Sequence, residues 1–281
     1  MQTYIGVTGF MTPEEIASAY SVVPQRKQEP RLKVGFPKYR DHSLMIGILA
    51  SWKSLRGIPL KPEWQKRYPK NTAEIKNIFV SAGKPESTFD PLRLIHYSCG
   101  KNVDDLAHDL RMMKDEVGQS FDGFQLNIPW PDPEVLGEVL EPHDFDPDGV
   151  GDWGDAVILQ IGQAAIEMAH NSPHEITSRL KKYEGVIDGV LLDPSGGQGK
   201  IFDCGQAQKI LHAINIENNN LSVGIAGGLC AETLHLLQPL IRRGLSSMSI
   251  DAEGRIRNKD GDMDIPAMQK YLVEAFEMFS R

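Results

Sequence analysis

Gly189-Val190-Leu191-Leu192-Asp193-Pro194-Ser195-Gly196-Gly197-Gln198-Gly199-Lys200-Ile201-Phe202-Asp203 is the stretch on which the fold turns. Val190 to Leu192 is a short apolar run, which reads as a buried strand. It stops at a carboxylate, Asp193. A loop with three glycines and a lysine follows, then Phe202-Asp203 and a helical pattern. Glycine lets backbone N–H groups come close to an anion, and Lys200 adds a point charge. A strand, a charged strand end, a loop and a helix, in that order, is how parallel α/β proteins lay out a site. The same letters also describe an ordinary glycine-rich turn with Asp193 leading into a helix.

Working outward, the pattern repeats. Tyr4 to Phe10 is β-like, and Thr12-Pro13-Glu14-Glu15 is a capping threonine, a first-turn proline and a glutamate that starts a helix. Leu32 to Phe36 reads as a second strand. Leu44 to Leu55 has helical spacing, although Met45 to Leu49 also suits a strand. Ile75 to Val80 suits a strand or a helix end. From Leu92 the rhythm is regular. Strands are predicted at 92–97, 123–128, 156–160, 190–192, 221–226 and 245–250. Helices are predicted at 103–117, after Asp132-Pro133-Glu134, after Ser172-Pro173-His174-Glu175, after Asp203 and at 266–279. Eight strand–helix units imply a parallel sheet closed into a (β/α)8 TIM barrel. The expected organisation is a single domain over residues 1 to 281, with an enlarged N-terminal half and irregular additions in residues 38 to 90.

Bulk properties narrow the partners. The chain has 281 residues, 41% of them hydrophobic, and a formal net charge of -8. That balance argues against nucleic acid and anionic membrane surfaces as partners. No run is long enough to span a bilayer, and the first residues lack a secretory pattern. Cys99, Cys204 and Cys230 form neither a disulfide framework nor a zinc pattern, so a cytoplasmic setting is expected. Assembly into a homo-oligomer stays open.

In such a barrel the site lies at the C-terminal strand ends. Those ends offer Thr8, Lys38 or Tyr39, His96 to Cys99, Gln125 with Asn127, Gln160 with Gln163, Asp193, Gly227-Gly228 and Asp251. No metal-ligand cluster is among them. Gly227, Gly228 and Leu229 sit between strand seven and a helix, where free N–H groups attract a phosphate; a tight turn needing small residues is the plainer reading. His96 reads as a satisfied strand-end histidine, and Cys99 and Cys230 as packed thiols. The acidic run from Asp144 to Asp155 and the loop Asp260 to Asp264 read as solvated loops.

Asp193 with Gly196-Gly197-Gln198-Gly199-Lys200 and Phe202-Asp203, then Ala226-Gly227-Gly228-Leu229, resembles phosphoribosylanthranilate isomerase. Val7-Thr8-Gly9, Gln125-Leu126 and Asn258-Lys259-Asp260 add to the likeness, which is clearest from Gly123 onward. The resemblance implies a (β/α)8 barrel and an Amadori rearrangement of a phosphorylated sugar in tryptophan biosynthesis, with no metal and no organic cofactor. It implies that Asp193 is the general acid. It implies phosphate or substrate contacts from Gly196, Gly197, Gly199, Lys200, Gly227, Gly228 and Leu229.

Two departures matter. The family's catalytic cysteine on strand one is replaced by Thr8, whose hydroxyl is far too weak a base to stand in for a thiolate. The family's strand-eight phosphate loop is replaced by Asp251-Ala252-Glu253-Gly254, whose carboxylates would repel phosphate unless Arg255, Arg257 or Lys200 offsets them. Two functions follow: an enzyme acting on a phosphorylated small molecule, the isomerase or a relative with altered chemistry, or a barrel that binds a small anion or a protein partner without turnover.

Overall fold

The computed structural model describes residues 3–24, 42–82, 91–100, 102–140, 155–195, 201–218 and 220–280. Eight parallel strands follow one another around a closed ring: β1 (Tyr4–Thr8), β2 (Ser43–Ser51), β3 (Leu92–Ser98), β4 (Gly123–Leu126), β5 (Ala156–Gly162), β6 (Gly189–Asp193), β7 (Ser222–Ala226) and β8 (Ser249–Ala252). β8 closes the ring on β1 through Ile5↔Ile250, Gly6↔Asp251 and Val7↔Ala252. The (β/α)8 barrel expected from the strand–helix rhythm is the fold.

Alternation along each strand splits the core in two. Tyr4, Met45, Leu94, Ala156, Ile158, Leu191 and Ala226 fill the barrel interior. The intervening residues, such as Ile5, Val7, Ile46, Ile95, Phe124 and Leu192, meet the surrounding helices in the larger outer core. Burial on both faces leaves no hydrophobic alternation for sequence reading to detect.

That explains why Met45 to Leu49 suits both a helix and a strand in sequence. Ser43 to Ala50 are all buried, and Ser51 ends the strand and caps a short helix, α2 (Trp52–Leu55), with its side chain. The helical signal in Leu44 to Leu55 therefore belongs only to its last residues, while the apolar run is β2. Residues 32–36, read as a strand, lie outside the described residues, as do Lys38 and Tyr39. The remaining helices are α1 (Pro13–Tyr20), α3 (Pro62–Gln65), α4 (Thr72–Ser81), α5 (Leu106–Val117), α6 (Pro133–Val139), α7 (Gln163–Met168), α8 (Pro173–Leu180), α9 (Cys204–Glu217), α10 (Gln238–Ile241) and α11 (Ile265–Phe279). Thr12 and Glu15 form the reciprocal cap expected for α1. Ser172, Asp203 and Asp264 cap α8, α9 and α11 through their side chains. At Ser172 the reciprocal half of the box is replaced, because the Glu175 carboxylate pairs with Arg179 at 2.9 Å.

Strand eight also moves. Leu245 to Met248 make a turn, closed by the Met248 N–H on the Leu245 carbonyl at 3.2 Å, and β8 begins at Ser249. Asp251 is thus inside the strand rather than beyond it.

The segment between β2 and β3 carries the short helices α2, α3 and α4. β1 lies between β2 and β8 in the ring, so a segment leaving β2 must cross the end of β1 to reach β8. It does so: Lys66 pairs with Asp262 at 2.9 Å and Arg67 with Glu253 at 3.0 Å.

Candidate active site

Asp193 ends β6 and is 5% exposed. The backbone N–H of Ser195 donates to its Oδ1 at 3.0 Å and the Ser195 hydroxyl at 2.6 Å. Gln160 Nε2 donates to its Oδ2 at 2.8 Å. Gln160 is itself oriented, because its Oε1 accepts from Gln125 Nε2 at 3.1 Å. Gln125, Gln160 and Asp193 so form a chain of side chains from β4 to β6. Gln125 is 2% exposed, and its Oε1 is buried with no hydrogen-bond partner among the described residues.

Thr8 ends β1 and is 2% exposed. Its Oγ1 lies 3.0 and 2.9 Å from the two carboxylate oxygens of Asp251 on β8. On the other side it lies 3.2 Å from His96 Nδ1 and 3.5 Å from Nε2 on β3. β2 separates β1 from β3, and the contact across it exists because Gly47 has no side chain. A Cβ there would sit 2.5 Å from Thr8 Oγ1 and 2.9 Å from His96 Nε2. Gly6 clears the other flank, where a Cβ would meet Asp251 Oδ1 at 2.9 Å.

The electrostatics follow from burial. Desolvation lowers the His96 pKa to about 3, so the imidazole is neutral. Desolvation also holds the Asp251 carboxyl well above the usual carboxylate range; the Thr8 hydrogen bond pulls the other way, and the charges of Glu253 and Asp193 add to the rise.

Just beyond the end of β8 comes Glu253, one of the two carboxylates that stand where the family has a phosphate loop. Burial raises its pKa, while Arg257 and Arg67 oppose that rise. Arg257 Nε lies 3.8 Å from its carboxylate. Arg257 Nη2 also donates to the Gly9 carbonyl at 2.8 Å, tying the strand-eight loop over the end of β1. Of the cations expected to offset the carboxylates, Arg257 does so; Arg67, in a charged segment with no motif, joins it.

Gly227 and Gly228 turn with φ of +110° and +66°, a region that favours glycine. The turn abuts the Asp193 loop, since a Cβ on Gly227 would lie 3.4 Å from Asp193 Oδ1 and from Ser195 Oγ. Leu229 beside them is 1% exposed. Gly196, Gly197, Gly199 and Lys200 lie outside the described residues, as does most of the acidic run from Asp144. Among the described residues, Thr8 and Asp193 fall into separate hydrogen-bonded groups, and the Asp193 charge acts on Asp251. Cys99 is buried in the outer core, where desolvation raises its thiol pKa. Among the described residues no three His, Cys, Asp or Glu side chains converge so as to hold a metal ion, and no helix is long and apolar enough to cross a membrane.

No protein-family model matches the chain, and no curated protein matches it. Solved structures do. Phosphoribosyl anthranilate isomerase from Thermus thermophilus matches with a TM-score of 0.57 and 14% identity, over 99% of this chain and 100% of that one. The Thermotoga maritima isomerase matches with a TM-score of 0.57 and 14% identity, over 98% of each chain. A phosphoribosyl anthranilate isomerase in complex with reduced 1-(o-carboxyphenylamino)-1-deoxyribulose 5-phosphate matches with a TM-score of 0.54 and 13% identity, again over 98% of each. The chain therefore shares, along nearly its whole length, the barrel architecture of phosphoribosylanthranilate isomerase.

Proposed function

We propose that this barrel binds a phosphorylated sugar-like molecule at the C-terminal ends of its strands and moves protons on it, with Asp193 as a proton-transfer carboxylate. The observation that carries the reading is the orphaned Oε1 of Gln125, set in a belt of Thr8, His96, Gln160, Asp193 and Asp251. Leaving a buried acceptor unpaired costs about 1–3 kcal/mol, and a substrate hydroxyl supplies the missing donor. The chemistry of the belt suits proton transfer, as its two carboxyls sit in different surroundings. In this reading the Gly227-Gly228-Leu229 turn and the loop with Gly196, Gly197, Gly199 and Lys200 receive the phosphate. The whole chain acts as one domain, and its three free thiols favour a cytoplasmic setting.

Phosphoribosylanthranilate itself is a poor substrate in this reading, because Thr8 occupies the position of the thiolate. Binding without turnover is the second reading, favoured by the Glu253 carboxylate held by Arg67 and Arg257 at the end of strand eight. Calorimetric titration with reduced 1-(o-carboxyphenylamino)-1-deoxyribulose 5-phosphate tests the proposal. Saturable binding that weakens in Gln125→Leu and Asp193→Asn is expected. A wild-type protein that does not bind the analogue overturns it. Growth complementation of a tryptophan-requiring strain lacking the isomerase then separates turnover from binding.

A further inference from the structure

Asp193 and Asp251 are equally buried at the same end of the barrel, each 5% exposed, yet they are solvated differently by the protein. Asp193 receives a backbone N–H, a hydroxyl and an amide whose orientation is set by Gln125. Such donors favour the anion. Asp251 receives the Thr8 hydroxyl on both oxygens and a contribution from the Ala252 backbone. Among the described residues, the other ionisable groups around it give no help. Tyr4 on β1 and Tyr271 on α11 are buried and hold their protons, and His96 on β3 is neutral. Asp193 on β6 and Glu253 beyond β8 bring like charge. Arg67 and Arg257 are engaged with Glu253.

We propose that Asp251, coupled through the Thr8 hydroxyl to His96, holds and donates the proton of this site, and that Asp193 is the carboxylate that receives one. The inference rests on the proton-transfer reading above and reverses the acid role that family resemblance implies for Asp193. It also gives Thr8 a task within its chemistry: a hydroxyl relays a proton that it cannot remove as a base. In the transfer, the Thr8 hydroxyl turns from Asp251 to a substrate oxygen and gives up its proton there, while the protonated Asp251 donates to Thr8 Oγ1 and passes its proton to it, leaving Asp251 a carboxylate and Thr8 a hydroxyl. Asp193 takes a proton from substrate carbon, so the number of protons held by the site is unchanged. His96 is a positioning residue, holding the hydroxyl between the two strands through the gap left by Gly47.

Carbon-13 NMR of the full chain labelled at aspartate carboxyl carbons tests this without any turnover. At neutral pH one protonated aspartate is expected in the wild type, absent from Asp251→Asn and retained in Asp193→Asn. Thr8→Val should move its titration to higher pH, because the hydrogen bond that favours the carboxylate is gone; a merely structural threonine would leave the midpoint in place. Where a substrate is turned over, Asp251→Asn should lower kcat at least about a hundredfold, within the range for a lost general acid. An Asp251 ionised at neutral pH, or a protonated signal that disappears with Asp193 instead, overturns the inference. The two readings fail separately. An ionised Asp251 in a protein that binds the analogue sinks only this assignment. A protonated Asp251 in a protein that ignores the analogue sinks the proposed function and leaves the proton where it is placed here.

Discussion

The β4–β6 side of the barrel mouth and the β8–β1–β3 side each present one buried aspartate, and they solve its burial in opposite ways. On the first side Gln125, Gln160 and Ser195 bring donors to Asp193. On the second side Gly6 and Gly47 remove bulk so that Asp251, Thr8 and His96 can meet, and burial dominates the Asp251 carboxyl. One residue type at one end of one barrel is thereby held by two different sets of neighbours at the same depth.

The largest expected effect comes from disturbing the charge beside the second group. Arg67→Met should destabilise the protein by about 1.5–3 kcal/mol in urea unfolding, the range for a hydrogen bond between charged groups, here half-buried. It should also push the Asp251 titration higher, since Glu253 would keep less compensation. An unchanged midpoint would mean that Glu253 does not act on Asp251, and the comparison would then rest on burial alone.

Gly47→Ala closes the gap through which Thr8 meets His96. Overpacking of this kind typically costs about 1–3 kcal/mol. The built Cβ would meet Thr8 Oγ1 at 2.5 Å, so the hydroxyl must shift or lose the histidine. Denaturant unfolding measures the loss, and the imidazole nitrogen shifts of His96 report whether the contact survives. A variant as stable as the wild type with His96 unchanged would show that the glycine is not needed for the group.

The smallest effect is a slope. A carboxyl whose folded pKa is raised contributes stability that is full below its unfolded value, near 4, and is lost as pH rises through the folded value. Wild-type stability should therefore fall with pH across that window, by no more than about 1.4 kcal/mol per pH unit from this one proton. Asp251→Asn should remove that component of the fall. His96 acts with the opposite sign: its pKa drops from 6.5 to about 3, so stability rises with pH between those values. Unfolding curves of the wild type, Asp251→Asn and His96→Asn at a series of pH values separate the two. Identical slopes in wild type and Asp251→Asn would mean that Asp251 is not perturbed.

Much of this arrangement was legible in the chain. The strand-end reading placed Thr8, His96, Gln125, Gln160, Asp193 and Asp251 at one end of the barrel. It could not say which of them touch, because Thr8 and Asp251 are adjacent only through ring closure, 243 positions apart. His96 read as an inert strand-end residue because nothing local distinguishes it; its partner lies across β2, through a glycine. Arg67 sits in a charged, aromatic segment with no motif, and its role follows from the path of that segment past the end of β1 to Glu253. Met45 to Leu49 stayed open between strand and helix because a strand buried on both faces carries no period.

Local rules in the sequence determined the strand–helix rhythm, the caps at Thr12, Ser172 and Asp203, and the position of Asp193 at a strand end, since each depends on residues only a few positions apart. Tertiary structure alone decided the boundaries of β2 and β8, the joining of Arg67 to Glu253, and the Asp251–Thr8–His96 group. Those depend on which distant strands become neighbours when the sheet closes and on the burial that closure imposes. Proton affinity is a property of that enclosed space, and it belongs to no residue until the barrel is shut.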